Sequence, residues 1–268
     1  MSKVAPPLPA SRWLTPDYKV LACLSRGRAL DVYDVWSKQR ECRCVAKVLR
    51  PDRVNDRKTR RALLCEGRLL RGLCHPHIVR LYEMLREPSP VLILETLTGA
   101  TLSHIIKKNH RLGLGDIAPL GIHLCSAIHY LHRHAGFLHL DLKPSNIVCE
   151  RGHAKVIDFS IARRPGRGHK GVGTRRYLAP EQALGYWLTP STDVWGIGVV
   201  LFEVATGRRA FPVDDHGGYE QLKRRAESVR DHCRLPSPLA KAIDSCLEPN
   251  PNDRPRLEEL TQILNRWT

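Results

Sequence analysis

Apolar and polar residues follow two different periodicities, which divide the chain into a strand-like first part and a helical second part. They alternate along residues 18–24 and 31–37, which predicts two strands that each bury one face. A break at Arg26-Gly27-Arg28 lies between these runs and predicts a hairpin turn. Three more strands are predicted at 42–49, 79–85 and 91–95, with a helix over 58–71, where apolar residues recur at helical spacing.

The second part is predicted to be mainly helical. Asp116 is expected to cap a helix that runs to about His134, with Pro119 in its first turn, where a missing N–H costs little. Residues 192–206 are apolar almost throughout and predict a buried central helix. Two further helices are predicted after Pro236.

A strand-rich part followed by a helix-rich part indicates an α+β protein with two lobes and a cleft near residues 95–99. The 268 residues, of which 42% are hydrophobic and 26% charged, suffice for two packed lobes. Residues 1–17 are Pro-rich and are expected to form a flexible lead-in to a domain over 18–268. Within this domain we predict a β-rich small lobe over about 18–97 and a larger α-helical lobe over about 98–268.

The chain is strongly basic, with a formal net charge of +16. Nucleic acid, an anionic membrane surface and an acidic protein are all possible partners, but no zinc-finger, RNP-like or basic-zipper pattern accompanies the charge. A basic surface that only aids solubility is an equal alternative. No apolar run reaches the roughly 18 residues of a membrane span, and the N-terminus lacks the apolar core of a signal peptide.

The cysteines and histidines form no recognisable metal pattern. The nine cysteines are scattered and contain no C-x-x-C, which indicates reduced thiols in a cytoplasmic protein, with the nucleus also allowed. Several of the 13 histidines crowd residues 123–139 without the carboxylate or cysteine that would complete a zinc site. Exposed helix positions and one structural histidine are expected instead.

The most informative segment is His139-Leu140-Asp141-Leu142-Lys143-Pro144-Ser145-Asn146, followed by Asp158-Phe159-Ser160. It places an acid, a lysine and an asparagine within six residues, with a second acid 17 positions past the first. Phosphoryl transfer from Mg-ATP needs these groups: a carboxylate that takes a hydroxyl proton, a cation beside the moving phosphoryl group, and oxygen ligands for the metal.

This segment resembles the catalytic loop and the metal-binding motif of the eukaryotic-type protein kinases, and Lys-Pro-Ser-Asn is similar to the serine/threonine-directed members. The resemblance implies ATP and Mg²⁺ as cofactors and protein substrates. It implies that Asp141 is the catalytic base and that Lys143 contacts the γ-phosphate, while Asn146 and Asp158 ligate Mg²⁺. The chain departs from the family at Leu140, which usually is arginine, and at Ser160, which usually is glycine.

The resemblance also extends to the strand-rich part. Lys47 in Val-Ala-Lys corresponds to the lysine that bridges the α- and β-phosphates, and Glu66 on the following helix is its expected partner. The resemblance places adenine among Val32, Ala46, a residue near Val148, the gatekeeper Leu94 and the hinge Glu95 to Leu97. A plain core role is an open alternative for these positions.

The glycine-rich loop of the family, G-x-G-x-x-G-x-V, is degenerate in this chain. Only Gly27 and Val32 match the pattern, whereas Ser25 and Leu30 replace the two outer glycines. Glycine lets backbone N–H groups come close to phosphates, so a stiffer and bulkier loop is expected. The tightness of ATP binding stays open at this point.

Residues 173–181 are similar to the substrate-docking segment of the family. Thr174 is expected to hydrogen-bond Asp141 and Lys143, and Glu181 of Ala-Pro-Glu to pair with Arg254. Asp193 is expected to brace the catalytic loop from the buried helix. Small-molecule phosphotransferases of related fold lack the Ala-Pro-Glu segment, so the resemblance favours a protein kinase.

The departures carry two further expectations. Leu140 cannot pair with a phosphate, and the only hydroxyls between Asp158 and Glu181 are those of Ser160, Thr174 and Tyr177. We therefore predict that activity does not depend on phosphorylation of this segment, the activation loop. The same segment is rich in cations, which favours acidic residues around the acceptor, although a mobile basic loop is an equal alternative. These cations are Arg163, Arg164, Arg167, Lys170, Arg175 and Arg176.

Three functions therefore compete on the sequence. The first is an active serine/threonine kinase, which the full set of catalytic side chains favours. The second is a pseudokinase that serves as a nucleotide- or protein-binding module, because the glycine-rich loop has decayed. The third is a nucleic-acid-associated protein, which rests on the charge alone.

Overall fold

The chain folds into two compact units, of which the first is built mainly from strands and the second mainly from helices. The computed structural model describes residues 5–212 and 218–268, so the first four residues of the expected lead-in lie outside the described residues. The first unit contains the chain up to Cys74 together with Val79–Thr98, and the second contains His75–Ile78 and Gly99–Thr268. The predicted α+β class, with a small β-rich part and a larger helical part, is confirmed.

The first unit carries an antiparallel sheet of six strands in the order β1-β2-β3-β4-β6-β5. The strands are β1 Trp13–Thr15, β2 Tyr18–Arg26, β3 Leu30–Ser37, β4 Cys42–Leu49, β5 Leu81–Leu85 and β6 Val91–Glu95. The alternation in the sequence buries one face of the sheet around Val20, Tyr33, Val35 and Ala46. The predicted strands all form, and β1 is an additional short strand inside the expected lead-in.

One helix, α1 (Arg57–Arg71), packs on this sheet. Asp56 caps it, because its carboxylate accepts hydrogen bonds from the backbone N–H groups of the first turn. Leu63 on its buried face joins a core cluster with Leu49 and Leu92. Glu66 lies on the same face, so the helix carries this carboxylate into the interior.

The described part of the second unit contains six helices. They are α2 Leu102–Asn109, α3 Leu114–Tyr130, α4 Pro180–Leu184, α5 Pro190–Thr206, α6 Ser237–Cys246 and α7 Leu257–Leu264. The predicted buried helix is confirmed as α5, which has buried residues on every side and begins with a capping box between Thr189 and Thr192. The two predicted C-terminal helices are confirmed as α6 and α7.

Helix α3 corrects two predictions. It begins at Leu114 with Gly113 as its N-cap, so Asp116 lies inside the first turn and does not cap the helix. Its carboxylate still lies where the positive end of the helix dipole favours an anion. Pro119 lies in the second turn and not in the first. The helix ends at Tyr130, and a π-helical turn continues the chain to Ala135.

Short strands position the loop that carries the motif. β7 (Ala100–Thr101), β8 (Ile147–Glu150) and β9 (His153–Val156) form a sheet in that order, and β10 (Gly166–Arg167) pairs with β11 (Trp187–Leu188). The β8–β9 hairpin begins directly after Asn146 and ends shortly before Asp158. Among the described residues, no helix is long and apolar enough to cross a bilayer.

Candidate functional site

In the first unit, Lys47 and Glu66 form a buried ion pair. Lys47 Nζ donates to Glu66 Oε1 at 2.9 Å and to Oε2 at 2.8 Å, and the two residues are 7% and 2% exposed. β4 supplies the lysine and α1 supplies the glutamate. A buried ammonium stays charged only when a carboxylate compensates for the lost water, so each side chain fixes the other.

The other predicted positions of this unit lie on neighbouring strands. Ala46 and Leu94 are buried on β4 and β6, which pair, and Val32 on β3 lies directly opposite Lys47. The Glu95 N–H donates to the carbonyl of Arg80, and Leu97 follows β6 half-buried. Gly27 lies in the β2–β3 turn, where its N–H donates to Leu30 O at 2.8 Å. Strand pairing accordingly brings Val32, Ala46 and Lys47 together.

In the second unit, Asp141 is the centre of a network of three side chains. Its Oδ1 accepts hydrogen bonds from the Thr174 hydroxyl at 2.7 Å and from the Thr174 N–H at 3.1 Å. Its Oδ2 accepts from Lys143 Nζ at 2.6 Å, and the same ammonium donates to Thr174 Oγ1 at 2.7 Å. The structure therefore holds a carboxylate, an ammonium and a hydroxyl in mutual contact, with Asp141 only 9% exposed.

Asn146 and Asp158 provide the oxygen atoms of the predicted metal site. Asn146 Nδ2 donates to the Asp141 carbonyl at 3.0 Å and to Asp141 Oδ2 at 3.2 Å, which fixes the amide. The Ile157 N–H donates to Asn146 O at 2.9 Å, so the hairpin brings the segments of Asn146 and Asp158 together. An amide oxygen and a carboxylate are ligands that hard divalent cations prefer, so this pair fits such an ion. Among the described residues, no cluster of three or more histidine, cysteine, aspartate or glutamate side chains offers a different metal site.

Asp193, at the start of α5, holds the backbone of the predicted catalytic loop, residues 139–146. It is 1% exposed, and its two carboxylate oxygens accept from the N–H groups of His139 and Leu140, each at 2.8 Å. His132 Nε2 also lies 2.8 Å from Asp193 Oδ2. Burial raises the pKa of Asp193, but the contact with His132 and the backbone hydrogen bonds outweigh it and hold this pKa below its usual value.

Leu140, where the family usually has arginine, is a core residue. It is 6% exposed and packs with Leu138 and Leu188. Its φ is 67°, a left-handed conformation that ordinary residues seldom adopt. The two hydrogen bonds to Asp193 and this packing together explain how the backbone keeps such a conformation.

Glu181 and Arg254 form a second buried ion pair. Nη1 and Nη2 of the arginine donate to the two carboxylate oxygens at 2.7 and 2.9 Å. The guanidinium also donates to three backbone carbonyls, so its charge is fully compensated. The pair ties the start of α4 to the segment before α7.

The sequence did not single out three residues that hold these segments. His132 supports Asp193, as described above. Gln182 Nε2 donates to the carbonyls of Leu140 and Val172, both at 2.8 Å, and Gln221 Nε2 donates to the carbonyls of two residues in 175–178. Each contacts backbone atoms or a residue distant in the sequence, so no local pattern indicates its role.

The comparisons with known proteins agree with this geometry. The family model described as "Protein kinase domain" matches residues 18–265. Serine/threonine-protein kinase PkaA of Streptomyces coelicolor is 34% identical over 232 residues, which are 81% of this chain and 42% of that protein. Serine/threonine-protein kinase PknB of Mycolicibacterium smegmatis is 32% identical over 229 residues, 78% of this chain and 36% of that protein.

A eukaryotic relative is mitogen-activated protein kinase pmk-1 of Caenorhabditis elegans, which is 38% identical over 181 residues, 64% of this chain and 46% of that protein. The chain spans less than half the length of each of these three relatives. The resemblance read from the motifs is confirmed over nearly the whole sequence: this chain belongs to the protein kinase family.

Proposed function

We propose that the chain transfers the γ-phosphoryl group of ATP to serine or threonine hydroxyls of protein substrates. The observation that carries the proposal is the contact of Asp141, Lys143 and Thr174 in one network. Relatives named as serine/threonine-protein kinases support the reaction class. The family match over 18–265 supports a catalytic domain over 18–268.

Each side chain of the network has a distinct task in this reaction. Asp141 orients the acceptor hydroxyl and takes its proton as the oxygen attacks phosphorus. Lys143 places a positive charge beside the transferring phosphoryl group, where negative charge is spread over its oxygens. Thr174, which donates to Asp141 and accepts from Lys143, keeps both groups in register and favours serine or threonine acceptors.

The remaining predicted residues bind ATP and a divalent cation. Lys47, held by Glu66, contacts the α- and β-phosphates, while Gly27 lies in the turn that would cover the phosphates. Adenine lies among five residues of the first unit: Val32, Ala46, Leu94, Glu95 and Leu97. Asn146 and Asp158 hold Mg²⁺, which supplies positive charge to the phosphate oxygens.

The substrates are proposed to be acidic around the acceptor. Arg164, Arg167, Lys170 and Arg175 are exposed in the segment between β9 and α4, and the whole chain has a net charge of +16. Fixed positive charge of this kind favours acidic partners. A peptide array checks the proposal: preference for Asp and Glu near the acceptor is expected, and preference for basic flanks contradicts it.

We propose the cytoplasm as the location, because all nine cysteines are free thiols, although the nucleus fits the same observation. Nucleic-acid binding has only the charge in its favour. Retention of a labelled DNA duplex that vanishes between about 50 and 200 mM salt would identify it as electrostatic. No observation favours the pseudokinase alternative, since the catalytic side chains are in mutual contact.

The decisive experiment uses the purified protein with Mg²⁺, radiolabelled ATP and generic acidic and basic protein substrates. Asp158→Asn and Lys47→Met are the controls, because the first alters a proposed metal ligand and the second removes the phosphate-binding ammonium. Transfer to serine or threonine that both variants abolish is the expected result. Binding of an ATP analogue without any transfer would contradict the proposal and identify a pseudokinase.

A further inference from the structure

The turn between β2 and β3, where the family has glycines, is held by Arg50. Arg50 Nη1 donates to the carbonyl oxygens of Gly27 and Arg28, each at 3.2 Å, and the Arg50 N–H donates to Ala29 O at 3.0 Å. The carbonyl of Leu30 accepts from the Gly27 N–H at 2.8 Å. Four consecutive carbonyl groups of the turn therefore have a partner, and Arg50 is the donor for three of them.

Other charged side chains hold Arg50 in place. Its Nε and Nη2 donate to the two oxygens of Asp52, both at 2.9 Å, and each of these side chains is 11% exposed. Arg26 Nη2 lies 3.9 Å from Asp52 Oδ1, and Arg26 Nε lies 3.6 Å from the buried Asp31 Oδ1. We call Arg26, Asp31, Arg50 and Asp52 the turn clamp. A bidentate arginine is rigid, so Arg50 and Asp52 restrict the turn from outside its own sequence.

The turn itself needs no glycine conformation. Among the described residues 25–30, none has a φ in the left-handed region, so Ser25 and Leu30 are accommodated without strain. Leu30 also packs against the core cluster of Leu49 and Leu63. The packing of Leu30 and the turn clamp therefore restrict a turn that has two flexible glycines in the family pattern.

The clamp determines which way the backbone amides of the turn face. In a trans peptide the C=O and the following N–H point in opposite directions. Since the carbonyls of Gly27 and Arg28 point toward Arg50, the N–H groups of Arg28 and Ala29 point away from it. Successive N–H groups on one side of a turn are the arrangement that binds phosphate oxygens.

We propose that Arg50 is a positioning residue for ATP: it fixes the turn so that the N–H groups of Arg28 and Ala29 face the phosphates. This inference rests on the proposed function, because it requires that the first unit binds ATP. It answers how a turn that has lost two glycines keeps its phosphate-binding backbone.

Arg50→Gln is the direct test. The KM for ATP is expected to rise about tenfold, as befits the loss of a charge-assisted hydrogen-bonded contact, while the KM for the peptide substrate and the kcat at saturating ATP stay within about twofold. Arg50→Lys keeps the charge but not the fork, and we expect it to leave the KM for ATP raised. Rescue by lysine would show that charge alone matters and would overturn the proposal.

Arg43→Gln is the matched control. Arg43 forms a bidentate pair with Asp34 on β4 and β3, at 3.2 and 2.6 Å, and contacts no carbonyl of the turn. The substitution removes a bidentate arginine–aspartate pair from the same unit, away from the turn. We expect its KM for ATP to equal that of the unaltered protein, and an equal rise in both variants would reduce Arg50 to a general structural role.

Hydrogen exchange of the turn amides separates this inference from the proposed function. Without nucleotide, Arg50→Gln is expected to speed exchange in residues 26–31 about tenfold, whereas Arg43→Gln leaves it unchanged. An unaltered protein that neither binds ATP nor transfers phosphate would refute the proposed function, whatever the exchange shows. Faster exchange with an unchanged KM for ATP, or no change in exchange, would overturn the role of Arg50.

Ser25→Gly restores one glycine of the family pattern at an exposed position. Because the clamp already fixes the turn, we expect the KM for ATP to stay within about twofold. A fall of about fivefold or more would mean that the turn is limited by the missing glycine, and it would contradict the clamp.

Discussion

Two loops of the molecule are each held by one charged side chain that contacts backbone atoms, and they differ in the sign of that charge. The catalytic loop rests on Asp193, whose carboxylate accepts from two backbone N–H groups. The β2–β3 turn is held by Arg50, whose guanidinium donates to the carbonyls of Gly27 and Arg28. The carboxylate of Asp193 thus accepts from N–H groups of one loop, whereas the guanidinium of Arg50 donates to C=O groups of the other.

The difference follows from what each loop is proposed to present to its substrate. In the catalytic loop the working groups are the side chains of Asp141 and Lys143, so its N–H groups are free to be used for support. In the turn the working groups are proposed to be the N–H groups themselves, so support has to come through the carbonyls. In each loop, the supporting side chain therefore hydrogen-bonds the backbone groups that are not proposed to take part in catalysis or phosphate binding.

The largest expected effect is on kcat, and it comes from replacing the proposed catalytic base Asp141 and not from replacing Arg50, which only supports a turn. Asp141→Asn keeps the shape of the side chain but removes the proposed base, and kcat is expected to fall about 100- to 10,000-fold. Arg50→Gln should leave kcat nearly unchanged. Steady-state kinetics with both substrates varied checks this contrast.

The thermal midpoint serves as the control for Asp141→Asn, because a misfolded variant would lose activity for an unrelated reason. An Asp141→Asn protein that folds normally and keeps more than about a tenth of the original kcat would contradict the role of this carboxylate.

Asp193→Ala is the matching test of support in the catalytic loop. It leaves two buried N–H groups and His132 without their acceptor, and we expect the free energy of unfolding to fall by about 3 kcal/mol. Urea denaturation measures this loss. A change below about 1 kcal/mol would show that water or another group replaces the carboxylate.

The two loops also show how far the sequence alone could predict this molecule. The strands and the buried helix follow from apolar periodicity, and the pairs Lys47–Glu66 and Glu181–Arg254 are implied by the resemblance of the motifs to the protein kinases. Arg50 could not be found in this way, because a residue that binds backbone carbonyls leaves no signature in the loop it holds. The start of α3 was misplaced for a similar reason, since a glycine N-cap offers no side chain to recognise.

A smaller effect is expected on stability when the pH is lowered. It should arise in the second unit, which contains His77, His123 and His153, and not in the turn of the first unit. His123 stacks on His77 with ring centroids 4.0 Å apart and also faces His153. Burial, together with the charges of these two histidines, lowers the pKa of His123 to about 4. The ring is thus neutral in the folded protein at pH 5 but protonated in the unfolded chain, so stability falls as the pH drops from about 6.5 toward 4.

The expected loss that His123 contributes at pH 5, relative to pH 7, is about 2 kcal/mol. Urea denaturation at the two pH values measures it, and His123→Leu should flatten the dependence. The turn clamp consists of arginines and carboxylates, so exchange of the turn amides, corrected for its intrinsic pH dependence, should change little over this range. A His123→Leu variant with an unchanged pH dependence would assign the acid sensitivity to another group.

The smallest expected effect is on kcat/KM when any phosphate groups bound to the protein are removed. It tests whether internal contacts alone hold residues 158–181. Two of its hydroxyls are already used: Thr174 donates to Asp141 at 2.7 Å, and Tyr177 donates to Glu203 at 2.8 Å. Leu140 is packed in the core and offers no cation to a phosphate. Treatment with a broad-specificity phosphatase is therefore expected to leave kcat/KM within about twofold.

Ser160→Ala and Tyr177→Phe complete this test by removing one hydroxyl each. Ser160→Ala should change neither activity nor stability, whereas Tyr177→Phe removes the hydrogen bond to Glu203 and should cost about 1 kcal/mol of stability with little change in kcat. A stoichiometric phosphate within residues 158–181 whose removal lowers kcat/KM more than fivefold would contradict the prediction. It would mean that an added charge, and not only the internal contacts of Thr174 and Tyr177, holds this part of the second unit.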